Sequence, residues 1–291
     1  SEGNTYLGAS QMTWNISIPD GVFVDSVPEL QCRIRVVLTN AGIATDATTA
    51  MAFVENKFGF HSFPVNRLLQ NVEVSFNSQA NITSTPSRHM DALIYSLPQS
   101  HLQKLSDLYL PDNNLIYNTL STQYVLKKYS DAVVSTRGIG STHMTIEHIN
   151  ITAAEDAQGY PAHSVTLNFT LKEKIIASPF QWFDTMAPHP FYGIKQFHLM
   201  ANLISDFSLV LARSITAGAG GAAAPVINSV SLHDCKLIMK NYVPSVKLPI
   251  PSEIYYNVIT MDYAESNALD VAAAGTSGDL NINSKNYAIV P

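Results

Sequence analysis

The sequence predicts a mainly β protein built from antiparallel strands. Three stretches carry this prediction because apolar and polar residues alternate along them: QCRIRVVLT (31–39), NVEVSFN (71–77) and SVTLNFTLK (164–172). Successive side chains of a β-strand point to opposite faces, so a period of two gives each strand one buried and one wetter face. Strands of this kind are typical of antiparallel sheets.

Less regular alternation predicts further strands. They lie near residues 11–18, 143–153, 192–200, 205–212, 226–242, 253–262 and 279–290.

One segment departs from this pattern and predicts a short helical insertion near residues 86–108. Thr85 followed by Pro86 is typical of a helix start. Met90, Leu93 and Ile94 follow at helical spacing, and a second turn begins near 98–100.

Charge is scarce in this chain of 291 residues. Charged residues make up 14% of the sequence, against about 25% in a typical soluble domain, and Ser, Thr, Asn and Gln take their place. We favour a surface that is partly covered by neighbouring subunits, because interface cores are depleted in charge. The alternative is an extracellular β domain rich in Ser, Thr and Asn.

The charge distribution argues against nucleic-acid binding. The net charge is −6, no cluster of Lys or Arg occurs, and the first basic residue is Arg33. The N-terminus therefore lacks the basic arm that would neutralise a phosphate backbone. The longest apolar runs are too short to cross a membrane, so no transmembrane segment is expected.

Two cysteines, Cys32 and Cys235, lie in predicted strands. The sequence alone leaves open whether they meet in a disulfide, and we expect two free thiols. Four glycosylation sequons occur, about as many as chance gives in this composition, so they do not indicate secretion. They are at Asn15, Asn81, Asn150 and Asn168.

No motif of catalysis, metal binding or cofactor binding stands out. RGIGST (137–142) lacks the lysine and the spacer of a phosphate loop and is interpreted as a turn. Asp184 and His189 have no third ligand nearby, and His143 and His148 would point to opposite faces of an unbroken strand.

Two further features gave weak signals. His233 and Cys235 would share a strand face without a third catalytic partner. Acidic pairs such as Glu155–Asp156 and Asp262–Glu265 are interpreted as solvated loop charges. We expect no enzyme, no cofactor and no assigned metal site, although a calcium ion held by loop carboxylates between subunits is left open.

Aromatic residues are locally enriched between residues 180 and 192. As a binding platform they would need to be exposed, whereas as a packing device they would seal the end of a barrel or a subunit seam. Packing is favoured, because buried aromatics dominate core energetics and large exposed patches are rare. The candidate packing or interface residues are Phe180, Trp182, Phe183, Phe191 and Tyr192.

The order of these patterns resembles the jelly-roll capsid proteins of non-enveloped icosahedral viruses, especially the double jelly-roll major capsid lineage. The resemblance covers most of the chain and is one of pattern and order. It is carried by four stretches: MTWNISIPDGVFVDSVPELQCRIRVVLTN, FPVNRLLQNVEVSFNSQANITSTPSRHMDALIY, LNFTLKEKIIASPFQWFDTMAPHPFYGIKQFHLMANL and HDCKLIMKNYVPSVKLPIPSEIYYNVITMDY.

The resemblance implies a jelly-roll β-sandwich of capsid type and a structural role. About a dozen strands are enough for one elaborated jelly roll over 1–291. The alternative is two barrels, 1–175 and 176–291. The protein would self-assemble through trimers into an icosahedral shell around the genome, with itself and other capsid proteins as partners and the virion capsid as its location. The alternative function is a secreted or cell-surface β-sandwich that binds glycans or a protein through Trp182.

Overall fold

A computed structural model of the chain describes most of residues 5–90 and 143–250. The described residues are 5–6, 8, 10–25, 27–39, 58–60, 63–79, 82–90, 143–180, 190–213, 226–246, 248–250 and 253. The chain divides into two compact units, Ser1–Val258 and Ile259–Pro291, and all described residues lie in the first.

The described part of the chain is dominated by β-strands. In chain order they are β1 (Thr5–Tyr6), β2 (Gln11–Ser17), β3 (Phe23–Val24), β4 (Glu29–Thr39), β5 (Phe58–Phe60), β6 (Leu69–Phe76), β7 (Ile82–Ser84), β8 (His143–Asn150), β9 (Ser164–Lys174), β10 (Phe191–Tyr192), β11 (Gln196–Leu203), β12 (Leu211–Arg213), β13 (Val226–Ile238) and β14 (Asn241–Tyr242). The helical segments are α1 (Pro64–Leu68), α2 (86–90) and a 3-10 helix (Phe207–Val210).

Eight of these strands form two facing sheets with the pairing of a jelly roll. Taken in chain order as first to eighth, they are β1, β2, β4, β6, β7, β9, β11 and β13. The first pairs with the eighth (β1 with β13) and the second with the seventh (β2 with β11). The third pairs with the sixth (β4 with β9) and the fourth with the fifth (β6 with β7). All four pairs are antiparallel. A hairpin folded over on itself in this way produces a double-sheet jelly roll.

The two sheets have the strand orders β1-β13-β4-β9-β8 and β2-β11-β6-β7. β8 is an addition at the edge beside β9. Strands from both sides of residue 175 share each sheet, since β13 pairs with β4 and β11 pairs with β2. Two small sheets, β10-β3-β14 and β12-β5, complete the described strands.

β4 and β9 form the centre of the larger sheet and pair in unbroken register from Glu29 opposite Lys174 to Thr39 opposite Ser164. The predicted alternation of β9 is confirmed on its apolar face, where Val165, Leu167 and Leu171 are fully buried. The opposite face departs from the prediction at its start, where Ser164 and Thr166 are also fully buried.

The hairpin loop 151–163 connects β8 to the start of β9 and is held by its own hydrogen bonds. Asn150, which pairs with Ser164 across the sheet, donates from its amide to the carbonyl oxygens of Ala154, Tyr160 and Pro161 at 2.9–3.0 Å. These bonds hold the loop to the end of β8.

The helix α1 did not follow from the sequence pattern. Its N-cap residue, Phe63, has a left-handed backbone (φ 56°) and makes no capping bond with its side chain. The cap comes instead from Glu173 of β9, whose carboxylate accepts from the backbone N–H groups of Val65 (3.3 Å) and Asn66 (3.0 Å). A cap supplied by a distant strand leaves no local signal.

The prediction of a strand near 205–212 was wrong for most of that stretch. Residues 207–210 form the 3-10 helix, and Asp206 caps it by accepting from the backbone N–H of Ser208 at 2.8 Å. Phe207 and Val210, three residues apart, are buried, while Leu209 is 65% exposed. The apolar residues at 207, 209 and 211 resemble a strand face, but the Asp206 cap selects the helical turn.

The predicted helical insertion begins as expected at residue 86, and Met90 is completely buried. Its remainder lies outside the described residues, as do the strands predicted near 253–262 and 279–290. Among the described helices, none is long and apolar enough to span a membrane.

Candidate subunit interface

Two of the predicted aromatic residues lie in the core between the sheets. Phe191 packs against Phe76 with ring centroids 5.1 Å apart, and Phe180 packs against Phe197 at 6.3 Å. Phe76 and Phe197 join the two pairs at 5.7 Å. All four side chains are buried, so Phe180 and Phe191 are not available to a ligand or a partner.

Tyr192 lies at the rim of this cluster. Its ring stacks on Phe23 with centroids 4.4 Å apart and an interplanar angle of 23°. Its hydroxyl donates to the carbonyl oxygen of Leu248 at 2.7 Å. Trp182 and Phe183 lie outside the described residues.

The contact with Leu248 leads to the most apolar exposed stretch of the described chain, the segment 242–250. Five large apolar side chains project from its nine residues. Their exposed fractions are 52% for Tyr242, 79% for Val243, 68% for Val246, 42% for Leu248 and 44% for Ile250. Concentrations of this kind are common at interaction surfaces of proteins, whereas single exposed apolar residues are ordinary.

The backbone of the segment 242–250 is anchored although its side chains are exposed. At its start β14 pairs with β3, and the backbone N–H of Asp25 donates to the Lys240 carbonyl oxygen at 2.8 Å. Near its end the Tyr192 hydroxyl holds Leu248. These contacts hold the start of the segment and its residue 248 to the small sheet and to β10.

A group of charges lies beside the start of this segment. The Glu29 carboxylate contacts the Lys172 ammonium at 2.6 Å and the Lys240 ammonium at 3.3 Å. Burial acts to raise the pKa of Glu29, but the hydrogen bonds and charges of the two lysines outweigh it and lower that pKa. One carboxylate thus faces two ammonium groups, so the three residues together keep one positive charge.

A second polar cluster lies on the outer face of the larger sheet and is saturated by its own contacts. The Glu147 carboxylate accepts two bonds from the Arg35 guanidinium, both at 2.8 Å. It also accepts from the Tyr160 hydroxyl at 2.7 Å and the Asn168 amide at 3.0 Å. Burial acts to raise the pKa of Glu147, but these bonds lower it overall. This carboxylate is not poised to act as a general base.

The interpretation of Asp156 as a solvated charge was wrong. Its carboxylate contacts Nε2 of His148 at 2.5 Å and accepts from the backbone N–H of Tyr160 at 2.9 Å. His148 in turn stacks on Tyr160 with ring centroids 4.1 Å apart. β8 is also irregular between Ile146 and His148, so the unbroken strand assumed for the pair His143–His148 is not present.

The other candidate chemical groups form no catalytic arrangement in the part of the chain that the structure describes. Asp234 has a left-handed backbone (φ 52°), which breaks the strand alternation assumed for His233 and Cys235. Within the described residues, no three His, Cys, Asp or Glu side chains converge to hold a metal. The stretch 137–142, Asp184, His189 and the pair Asp262–Glu265 lie outside them.

Sequence reasoning missed the segment 242–250 as a surface. The signal that could have found it is its composition, with Pro244 and Pro249 among apolar residues and only Lys247 charged between 241 and 250. Prolines disfavour a regular buried strand, so apolar residues between them need cover from elsewhere.

No protein-family model and no curated protein matches the sequence significantly. Among solved structures, the chain is similar to the mavirus major capsid protein, with a TM-score of 0.59 and 20% sequence identity over 89% of this chain and 48% of that one. It is also similar to a chain of the Sputnik virophage structure determined by cryo-EM, with a TM-score of 0.53 and 15% identity over 86% of this chain and 50% of that one.

The chain therefore spans about half the length of each of these solved chains. At such low identity the likeness concerns the fold. The pairing of the eight strands agrees with it, and the predicted jelly-roll fold is confirmed. The chain is a mainly β, antiparallel jelly roll whose fold is similar to that of about half of the mavirus major capsid protein.

Proposed function

We propose that this chain is a structural component of a virus capsid and has no enzymatic role. The observation that carries the proposal is the shared fold with the mavirus major capsid protein over 89% of the chain. The segment 242–250 supports it, because its exposed apolar side chains suit burial against another subunit.

Copies associate first into trimers, which join other capsid proteins in an icosahedral shell of the virion that encloses the genome. Residues 1–291 act as one elaborated jelly-roll unit, a view supported by strands from both sides of residue 175 sharing each sheet. Association uses apolar contacts rather than charge, in keeping with the 14% charged residues, and no sequence-specific contact with nucleic acid is involved.

The proposed interface includes Tyr192 together with the segment 242–250. Trp182 and Phe183 are assigned to the same seam, because they lie between Phe180 in the core and Tyr192 at the rim along the chain. Apolar side chains at the centre of an interface carry most of its binding energy, with polar residues around them.

The test is the mass of the particle in solution. The full chain of 31.8 kDa is measured by mass photometry and negative-stain microscopy over a range of concentrations. We expect species of three subunits, or larger assemblies built from them. A strictly monomeric protein at high concentration contradicts the proposal.

A pair of variants identifies the surface. Val243→Asp combined with Val246→Asp places two charges on the segment 242–250 and is expected to abolish association while circular dichroism stays unchanged. The matched control is Leu209→Asp, because Leu209 is 65% exposed but lies in the 3-10 helix outside this segment. If the variant and the control lose association equally, the loss is not specific to the segment 242–250, and this segment is not identified as the interface.

A further inference from the structure

The two cysteines of the chain face each other across the larger sheet. Cys32 lies in β4, the third strand of the jelly roll, and Cys235 lies in β13, the eighth. The register runs from Arg33 opposite His233 to Gln31 opposite Lys236. Cys32 is therefore the single residue opposite two, Asp234 and Cys235, which is the arrangement of a β-bulge.

The bulge places the two cysteines opposite each other on neighbouring strands. Asp234 provides the extra residue with its left-handed backbone (φ 52°), a conformation that aspartate tolerates better than most residues. Cys235 lies close enough to Cys32 to raise the pKa of the Cys32 thiol. The Cys235 thiol itself donates to the His233 carbonyl oxygen at 3.9 Å, and both cysteines are free. Opposed residues of antiparallel strands have Cα atoms about 4.5–5.5 Å apart, a separation that a disulfide can span.

The two thiols differ in access. Cys32 is 2% exposed and points into the core beside Ile34, whereas Cys235 is half-buried. An oxidant dissolved in water therefore reaches Cys235 first. Cys32 reacts only with a group that is already attached to Cys235.

We propose that Cys32 and Cys235 are a reversible thiol–disulfide pair that links β4 to β13 when the protein meets a low-molecular-weight disulfide. The Cys235 thiolate attacks one sulfur of that molecule, giving a mixed disulfide and releasing one small thiolate. The Cys32 thiol loses its proton to solvent and its sulfur attacks Sγ of Cys235. The second small thiolate leaves, so one disulfide forms in the protein as another is reduced to two thiols.

The environment of Cys32 controls the rate of the second step, the attack of its sulfur on Sγ of Cys235. Hydrogen bonding to Cys235, burial and the nearby charge of Glu173 raise the pKa of the Cys32 thiol well above its ordinary value. Because the thiolate is the nucleophile, ring closure is slow at neutral pH and accelerates as the pH rises. The mixed disulfide at Cys235 should therefore accumulate briefly before it resolves.

The link would fasten the last strand of the jelly roll to its central strand. It closes a loop of about 200 residues, and cross-links over long loops restrict the unfolded chain most. This role goes beyond capsid assembly and does not depend on it. It would let a reduced chain fold first and be fixed in place after it meets an oxidising medium.

The test uses the reduced full chain treated with oxidised glutathione at pH 8, then denatured and blocked with N-ethylmaleimide. Intact-mass spectrometry of the wild type is expected to show the loss of two hydrogen atoms (about 2 Da) and no alkylation. A digest without reductant should yield one peptide that joins Cys32 to Cys235. At pH 7 the same product should form more slowly, through a glutathione adduct on Cys235.

Two variants give matched controls. Cys32→Ala should stop at the adduct on Cys235, and Cys235→Ala should carry neither adduct nor cross-link before denaturation. The proposal is overturned if the wild type keeps the adduct on Cys235 without joining Cys32. It is equally overturned if both thiols are alkylated, or if the chains cross-link between molecules. Because the wild type alone gives these outcomes, the conclusion survives a variant that fails to fold.

Discussion

The Glu173 carboxylate accepts a hydrogen bond from the backbone N–H of Asn66 at 3.0 Å, across 107 positions of the sequence. It also accepts from the Asn66 side-chain amide at 2.9 Å. A strand of one sheet thus caps the short helix that leads into β6 of the other sheet. Because Glu173 is 2% exposed, this contact joins the two sheets inside the core.

The first prediction concerns pH. Burial raises the pKa of Glu173 to about 7, despite the bonds donated by Asn66 and Val65. The unfolded chain, with an ordinary pKa of 4.5, loses this proton earlier than the folded chain does. Glu173 therefore contributes stability below pH 4.5 that is lost as the pH rises to about 7, by roughly 3 kcal/mol in total.

Urea unfolding at pH 5 and pH 8 measures this effect, with Glu173→Gln as the control that cannot titrate. The difference in unfolding free energy between wild type and variant should change with pH. The unfolding free energy of the wild type should fall relative to that of the variant between pH 5 and pH 8. Glu29 acts in the opposite direction, because its lowered pKa gives stability that is lost as the pH falls below 4.5. It is present in both proteins and cancels. A difference that does not vary with pH would contradict the assignment.

The second prediction is that Asn66→Ala destabilises the fold by about 2–4 kcal/mol. The Asn66 amide donates to the Lys174 carbonyl oxygen at 2.9 Å, and its oxygen accepts from the backbone N–H of Ile176 at 2.9 Å. Removal leaves both buried groups unpaired. Asn241→Ala, on the exposed strand β14, should change the unfolding free energy by less than about 0.5 kcal/mol. Comparable losses in the two variants would show that the buried contacts are unimportant.

The third prediction concerns the aromatic core. Phe197→Ala should cost about 3–5 kcal/mol, because Phe197 is 2% exposed and packs against both Phe76 and Phe180. Thermal and urea unfolding measure the loss. Leu209→Ala removes an exposed apolar side chain and should fall within about 0.5 kcal/mol of wild type. A cost near that of Leu209→Ala would mean that this cluster is not tightly packed.

The fourth prediction concerns the segment 242–250. Tyr192→Phe keeps the stacking on Phe23 but removes the hydroxyl that holds Leu248. We expect faster hydrogen exchange in the segment and weaker self-association, with a stability loss of about 1 kcal/mol. Tyr160→Phe is the matched control, because it removes a tyrosine hydroxyl bonded to Glu147 on the larger sheet. Unchanged exchange in Tyr192→Phe would show that the hydroxyl does not hold the segment.

The strands of the two large sheets were predictable wherever one face is apolar and the other polar. β4 and β9 show why. A period of two in each strand places Ile34 and Leu167 on the apolar face, and this local pattern is enough to predict their burial in the core. The same local rule failed at 205–212, where alternating apolar residues coincide with the cap formed by Asp206. It also failed for α1, whose cap comes from Glu173 far along the chain.

The sequence by itself determined the β class, the existence of the long strands β4 and β9 and the low charge of the chain, because these depend on local patterns and composition. Tertiary structure alone decided that the first strand pairs with the eighth, that Cys32 lies opposite Cys235, and that the apolar side chains of the segment 242–250 are exposed. Each of these joins positions far apart in the chain. Their proximity follows from closure of the whole jelly roll, which no short stretch of sequence encodes.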